Sequence, residues 1–187
     1  MLIRKAKREE SLTIANYIFL AMEEIVYHFI GEKNKAKAIR LLDSLIQETH
    51  NQYSYENCWV AIIEKEVVGA ALLYDGAQLE ELRTPVAEKI KALFNSNFNP
   101  EDETQAGEYY IDCVGVNPDY QGKGIGSAIF KFLIDEYVFK RKETLGLLVD
   151  FDNPNAQKLY LKLGFEIVGE KILVGKRMNH LQFKPKK

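Results

Sequence analysis

Gln121-Gly122-Lys123-Gly124-Ile125-Gly126-Ser127 sets three alternating glycines between an apolar run and an amphipathic one. Glycine accepts positive φ and lets a ligand approach the backbone closely. A helix N-terminus leaves its first N–H groups unpaired and carries about half a positive charge. An apolar strand, a glycine loop and a helix start, in that order, therefore let several N–H groups converge on a phosphate or pyrophosphate. The simpler alternative is a tight turn without a ligand, but a plain turn rarely needs three glycines.

Other residues capable of chemistry cluster around this loop. Asp112 stands inside the apolar run Tyr110 to Val116, where a carboxylate calls for a reason. Glu108 lies just before that run. Cys113 follows Asp112; it is either a nucleophile or, more simply, a buried reduced thiol. Tyr160 falls on an apolar stripe with Ala156, Leu159 and Leu163, and taken alone it reads as a core tyrosine. Asn153-Pro154 suits a helix start, with Asn153 as cap and Pro154 at the first helical position.

Three phosphate-binding patterns compete for the loop. A P-loop requires G-x-x-x-x-G-K followed by Ser or Thr; here the loop's one lysine precedes Gly124, so the match fails. A Rossmann fingerprint, G-x-G-x-x-G, fails at Ser127, and five residues (117–121) separate the strand from the loop. Asp150, at the end of a later strand, is the only support for that reading, which would make the ligand NAD. The third pattern, Q/R-x-x-G-x-G/A, is filled by Gln121, Gly124 and Gly126.

The elements that must position these groups are readable from periodicity. Leu2 to Ala6 is an edge strand. Glu9 to Phe29 is a helix with Leu12, Ala15, Ile18, Phe19, Met22, Val26 and Phe29 as its buried stripe, ended by Gly31. Lys35 to Glu48 is a second helix, and Asn51 to Glu56 a polar loop. Cys58 to Ile63 and Val67 to Tyr74 form an antiparallel hairpin, apolar enough for a sheet covered on both faces. Residues 75–107 are the least regular. Pro85 to Phe94 reads as a helix, and 95–107 as a polar, mobile stretch, either a solvated connector or a lid. Tyr110 to Val116 is the central strand; a turn at Asn117-Pro118-Asp119-Tyr120 leads to the glycine loop and a helix. Thr144 to Asp150 is a strand, and Pro154 onward a helix capped by Gly164, with Phe165 packing back. Glu166 to Val174 and Lys176 to Phe183 close the chain as a hairpin.

A length of 187 residues suits a single domain, and 47% hydrophobic with 28% charged residues is ordinary for a soluble globular protein. The net charge of −2 gives no global support to nucleic-acid or membrane binding; the basic tail 184–187 is short. Glu9, Glu10 and Asn16 interrupt what otherwise resembles a signal peptide. Two cysteines, Cys58 and Cys113, in apolar runs suggest reduced thiols and a cytoplasmic location. His28, His50 and His180 are scattered, so no metal site is expected.

With the loop goes a second signature, N-x-x-A-x-x-x-Y-x-x-x-G-F, filled by Asn153, Ala156, Tyr160, Gly164 and Phe165. Together with the order of elements, these two motifs resemble the GNAT N-acetyltransferases over about residues 108–175; residues 75–107 have no clear counterpart there. The resemblance implies an α/β (α+β) fold over 1–187, a mixed twisted central sheet with helices on both faces. It implies acetyl-CoA as cosubstrate, no metal, and direct transfer of the acetyl group to a primary amine in a ternary complex. Cys113, Val114, Gly115 and Val116 would pair with the pantetheine arm through their backbone. Gln121, Gly122, Lys123, Gly124, Ile125, Gly126 and Ser127 would hold the pyrophosphate, and Asn153 would touch the arm. Tyr160 would act as general acid toward the leaving thiolate. Asp112, or else Glu108, would act as base or bind the substrate cation.

The resemblance also implies an acceptor pocket near the end of the first helix, where Tyr27 and His28 lie with Tyr17 and Phe29. If 75–107 covers the site, its seven acids against three bases favour a cationic acceptor: a small amine, a polyamine, or a lysine or N-terminal peptide amine. The alternative function is a non-catalytic acyl-CoA-binding or sensing module. A monomer or a homodimer paired through the closing hairpin are both compatible with the sequence.

Overall fold

The computed structural model describes residues 1–185; Lys186 and Lys187, the end of the basic tail, lie outside it. The strands are β1 (Leu2–Lys5), β2 (Cys58–Ile63), β3 (Glu66–Asp75), β4 (Tyr109–Val116), β5 (Leu145–Asp150), β6 (Glu166–Leu173) and β7 (Lys176–Phe183). The helices are α1 (Ser11–Ile30), α2 (Lys35–Gln47), α3 (Leu79–Leu93), α4 (Ile125–Leu133) and α5 (Pro154–Leu163). Beyond α4 the chain continues in a wider π-helical turn, Ile134–Lys140. The strands form one mixed sheet in the order β1-β2-β3-β4-β5-β7-β6. Every neighbouring pair is antiparallel except β4 and β5, which run parallel.

Helices cover both faces because β2 and β3 are apolar on both sides. Cys58, Val60, Ala70 and Leu72 pack with α1, α2 and α3. Trp59, Ala61, Ala71 and Leu73 pack with α4 and the chain that follows it. Alternate residues pointing to opposite faces produce this division.

Local chemistry sets the helix ends. Asn34 accepts the Lys37 N–H at 3.1 Å and starts α2. Gly31, with φ 69°, ends α1. Gly164, with φ 103°, ends α5; its N–H donates to Leu161 O and that of Phe165 to Tyr160 O, both at 3.1 Å. This paired closure ties Phe165, a fully buried ring, to the turn that carries Tyr160.

Four features differ from the sequence expectation. Leu12 is exposed, and Ile14 takes its place on the buried stripe of α1. Residues 51–54 are buried, not a solvated loop. There Asn51 bonds the carbonyls of Leu45 and Glu48, satisfying the end of α2, and its Oδ1 accepts the Tyr53 N–H. Helix α3 begins six residues before Pro85, whose missing N–H is tolerated inside the helix. Segment 95–107 is pinned rather than free. Phe98, Glu103 and Thr104 are buried, and the ring of Phe98 stands 5.1 Å from that of Phe29.

Candidate active site

Between β4 and β5 the parallel ladder has three rungs, Tyr109↔Leu145, Tyr110↔Gly146 and Ile111↔Leu147. Past Ile111, β4 pairs only with β3, and past Leu147, β5 pairs only with β7. The facing edges of the two strands are thus left without sheet partners, and backbone N–H and C=O groups must find others. The cause lies in β4. Leu72 pairs with Cys113 and Leu73 with Ile111, so Asp112 is an extra residue with no partner, a β-bulge that bends the strand.

The gap opens into a cavity of about 1280 Å³. Cys113, Val114, Leu148, Val149, Asn153, Ala156 and Tyr160 line the part between the strands. The opposite wall comes from α1, where the helical path breaks at Met22 (φ −139°, ψ 36°) and the turns around it face the cavity. Tyr27, His28 and Phe29 line it; Tyr17 does not, and spends its hydroxyl on Val67 O at 2.8 Å. Gly115 carries no side chain for a plain reason: a Cβ there would lie 2.0 Å from the Tyr17 carbonyl oxygen. Helix α1 rests directly on β4 at that point.

Asp112 lines the cavity. Its Oδ2 accepts from Gln52 Nε2 at 3.1 Å and lies 3.5 Å from the Tyr74 hydroxyl. Burial, followed by the charge of Glu103, raises its carboxyl to about 7, against the pull of those two hydrogen bonds and of Arg83. Tyr160 packs edge and face against Phe130 and Phe165, with ring centroids 5.0 and 6.2 Å away. Burial, with a small addition from Cys113, pushes its hydroxyl up to about 12. The Cys113 thiol is itself driven well above its ordinary value by burial and then by Asp112, which opposes a nucleophile role.

Glu108, the second base candidate of the sequence, does not line the cavity. It is enclosed on the β5–β7 side, taking Thr104 Oγ1 at 2.7 Å, His180 Nε2 at 2.8 Å and Gln182 Nε2 at 2.6 Å. Gly146 is needed above it, since a Cβ there would meet Glu108 Oε2 at 2.2 Å. Burial opposes its charge, but the three donors together hold the carboxyl below its ordinary value.

The glycine loop stands at the end of β4, outside the cavity lining. Gly122 and Gly124 have φ of 73° and 80°, where other residues are strained. The first intrahelical bond of α4 runs from Ala128 N–H to Gly124 O at 3.0 Å. The N–H groups of Ile125, Gly126 and Ser127 therefore precede the helical ladder. Gln121 turns back to Val116 O at 3.3 Å, and Lys123 sits over the Tyr120 ring. At the start of α5, Asn153 caps the helix by accepting the Ala156 N–H at 3.2 Å while also facing the gap.

Glu103, Gln52, Tyr74 and Arg83 are site residues that the sequence reading did not single out. They come from the buried 51–54 loop, β3, α3 and the 95–107 segment. Only the acidic character of that last segment hinted at them. Among the described residues no cluster of His, Cys, Asp and Glu is arranged to hold a metal ion. No helix of the described residues is long and apolar enough to cross a membrane.

Splayed parallel strands, a helix N-terminus beyond them and a tyrosine facing the gap mark a fold of the GNAT class. The acetyltransferase (GNAT) family model matches residues 22–165, and the chain belongs to that family. A solved acetyltransferase structure is 30% identical, with a TM-score of 0.82 over the whole of both chains. An N-acetyltransferase from Staphylococcus aureus Mu50 shares the fold with a TM-score of 0.83 at 20% identity, over 98% of this chain and all of that one. Among curated proteins, an acetyltransferase of Sodalis glossinidius is 31% identical over 50% of this chain and 63% of its own length. An N-alpha-acetyltransferase of Mycobacterium tuberculosis is 42% identical over 33% of this chain and 37% of its own. The chain thus spans less than two thirds of either curated relative.

Proposed function

We propose that the protein transfers the acetyl group of acetyl-CoA directly to a primary amine, with both substrates bound at once. The observation that carries this reading is the gap beside Asp112. It joins a strand edge fit to pair with a pantetheine arm to a half-buried carboxyl that is a proton acceptor near neutral pH. The residues suit acetyl-CoA: unpaired backbone groups of Cys113 to Val116 for the amide-bearing arm, and the N–H groups of Gly122 to Ser127 for the pyrophosphate. Acetyl-CoA supplies an activated thioester; this chain supplies proximity and proton management.

An alkylammonium is neutral only about once in 2,500 at pH 7, a deficit of about 4.6 kcal/mol in barrier. Asp112, directly or through water, takes the proton as the amine attacks. Tyr160 offers its hydroxyl hydrogen to the departing sulfur. Against a free thiol near ~8.5 a full proton transfer from Tyr160 runs uphill. The thiolate formed in the gap feels the same burial that raises Cys113, which narrows the difference. Asn153 and the edge of β4 orient the arm. Tyr27 and His28, which line the cavity, are read as acceptor contacts, and the acidic groups of the cavity favour a cationic acceptor. A small amine, a polyamine and a peptide amine all fit that description.

The test is to incubate the protein with acetyl-CoA and a panel of amines while following free thiol, with Tyr160→Phe in parallel. Release that depends on one class of amine and weakens in the variant supports the transferase and names its acceptor class. Tight acetyl-CoA binding with no release for any amine would instead favour the acyl-CoA-sensing module.

A further inference from the structure

We propose that Glu103 is a positioning residue for Asp112. Carried in by the 95–107 segment, it shares the Gln52 amide and the Tyr74 hydroxyl with Asp112 and leaves Asp112 as the proton-accepting member of a carboxylate pair. The inference rests on Asp112 being the base of the reaction proposed above.

The division of labour follows from counting protons. Gln52 Nε2 lies 2.6 Å from Glu103 Oε1, 3.1 Å from Asp112 Oδ2 and 3.0 Å from the Tyr74 oxygen. Its NH2 group has two hydrogens for three acceptors. Tyr74 has one hydrogen, and its oxygen is 2.9 Å from Glu103 but 3.5 Å from Asp112. Glu103 adds a third donor, Arg83 Nη2, at 2.6 Å on its other oxygen. Arg83 is itself held by Asp102 and by the carbonyls of Pro100 and Glu101, so the segment brings both the carboxylate and the grip on its counterion. Asp112 retains one good hydrogen bond, and its Oδ1 takes none from a described residue. Two nearby carboxylates with such unequal donors do not ionise alike: the well-donated one carries the charge, and the other takes the proton.

The remaining titratable groups facing Asp112 add no cation. Tyr110 and Cys113 on β4, Tyr53 from the buried loop and Cys58 on β2 are all raised by burial first, with Asp112 adding to each. Arg83 is the positive group that pulls Asp112 downward, and Glu103 the negative group that pushes it up. The segment also fastens to the far side of the cavity. Glu101 Oε2 accepts the Val174 N–H at 3.0 Å, at the turn between β6 and β7. Glu103 is thereby fixed in place from two directions.

The experiment is a carboxyl-carbon NMR titration of the full chain labelled at aspartate, with Asp112→Asn assigning the resonance. It is paired with pH profiles of kcat/KM for the acceptor. Glu103→Gln keeps size and one acceptor oxygen for Gln52 and Tyr74, but removes the charge and turns the oxygen facing Arg83 into a donor. It should lower the Asp112 midpoint by about one unit or more and carry the acid limb of kcat/KM down with it. Arg83→Met should move both upward. An Asp112 midpoint unchanged in Glu103→Gln, with the amide spectrum showing a native fold, overturns the proposal. So does a shifted midpoint with an unmoved acid limb. Absence of turnover with every amine, alongside a shifted midpoint, overturns the transferase reading while upholding the carboxylate pair; the two failures are thus distinct.

Discussion

Ile111 and Leu147 form the last rung between the two parallel strands at the centre of the sheet. One residue further on, Asp112 drops out of register with β3. The two facts are linked. A bulge bends and twists its strand, so β4 leaves β5 at the point where the extra residue is accommodated. The same residue that opens the gap also points a carboxyl into the cavity. Position and chemistry therefore come from one backbone irregularity.

Tyr160→Phe removes a hydroxyl that bonds no described residue while keeping the ring packed between Phe130 and Phe165. Stability should change by less than about 1 kcal/mol, because no partner is left unsatisfied. The expected result is a fall in kcat of about 10–100-fold, the lower part of the range for acid–base assistance, since a thiol is already a fair leaving group. Acetyl-CoA affinity, measured by calorimetry, should stay within about twofold. An unchanged kcat would remove Tyr160 from the chemistry.

The glycines of the loop separate into two kinds. Gly124 has φ 80°, so Gly124→Ala strains the start of α4 by about 1–3 kcal/mol. Because the strain distorts the N–H cradle, acetyl-CoA binding should weaken by at least about tenfold, a loss of about 1.4 kcal/mol. Gly126 lies within the helix, and a Cβ there would meet only Val116 Cγ2 at 3.9 Å. Gly126→Ala should leave stability unchanged or raise it by up to about 1 kcal/mol. Thermal melts and acetyl-CoA titrations of the two variants separate the conformational effect from simple added bulk.

Most of the scaffold was legible because its signals are local. The helix ends at Gly31, Asn153 and Gly164, the turn after Val116 and the apolar hairpin β2–β3 all act within a few residues. What escaped was decided by distant contacts. Gln52 and Glu103 are 51 residues apart, and their polar types alone suggest solvent; only the fold makes them neighbours under Asp112. Periodicity admits two adjacent stripes on α1, and burial selected Ile14 over Leu12 because α1 crosses β4 at Gly115. Asp112 and, behind it, Glu108 were both readable as bases beside one strand. The structure separates them, giving Glu108 three donors on one side and Asp112 the cavity on the other.

Glu108 should consequently behave as a strut. Glu108→Ala leaves Thr104, His180 and Gln182 without their acceptor and should cost about 1–3 kcal/mol for each donor left unsatisfied. The folded fraction should keep a kcat within about threefold of the parent, unlike a base variant. The pH dependence has a definite sign. A carboxyl held below its ordinary value contributes stability that is fully present above ~4.3 and is lost as pH falls through the depressed folded value. The difference in unfolding free energy between parent and variant should therefore shrink below about pH 4. A large loss of kcat at unchanged stability would restore Glu108 as a catalytic candidate.

Asp112 carries the opposite sign. Its carboxyl is raised from an ordinary value near ~3.9 to about 7 in the fold. Between those values the folded protein holds a proton that the unfolded chain has released, so stability falls as pH rises through that window. The full penalty is present at pH 8, and three units correspond to at most about 4 kcal/mol. Asp112→Asn removes the titration while still accepting from Gln52. It should raise the melting temperature by several degrees at pH 8 and by little at pH 4. The same variant should lower kcat/KM at pH 7 by about 10²–10⁴. Melts across pH 4–8 alongside acetylation assays check both halves. A variant less stable than the parent at pH 8 would show that Asp112 is paired rather than poised, and the base would have to be sought elsewhere in the cavity.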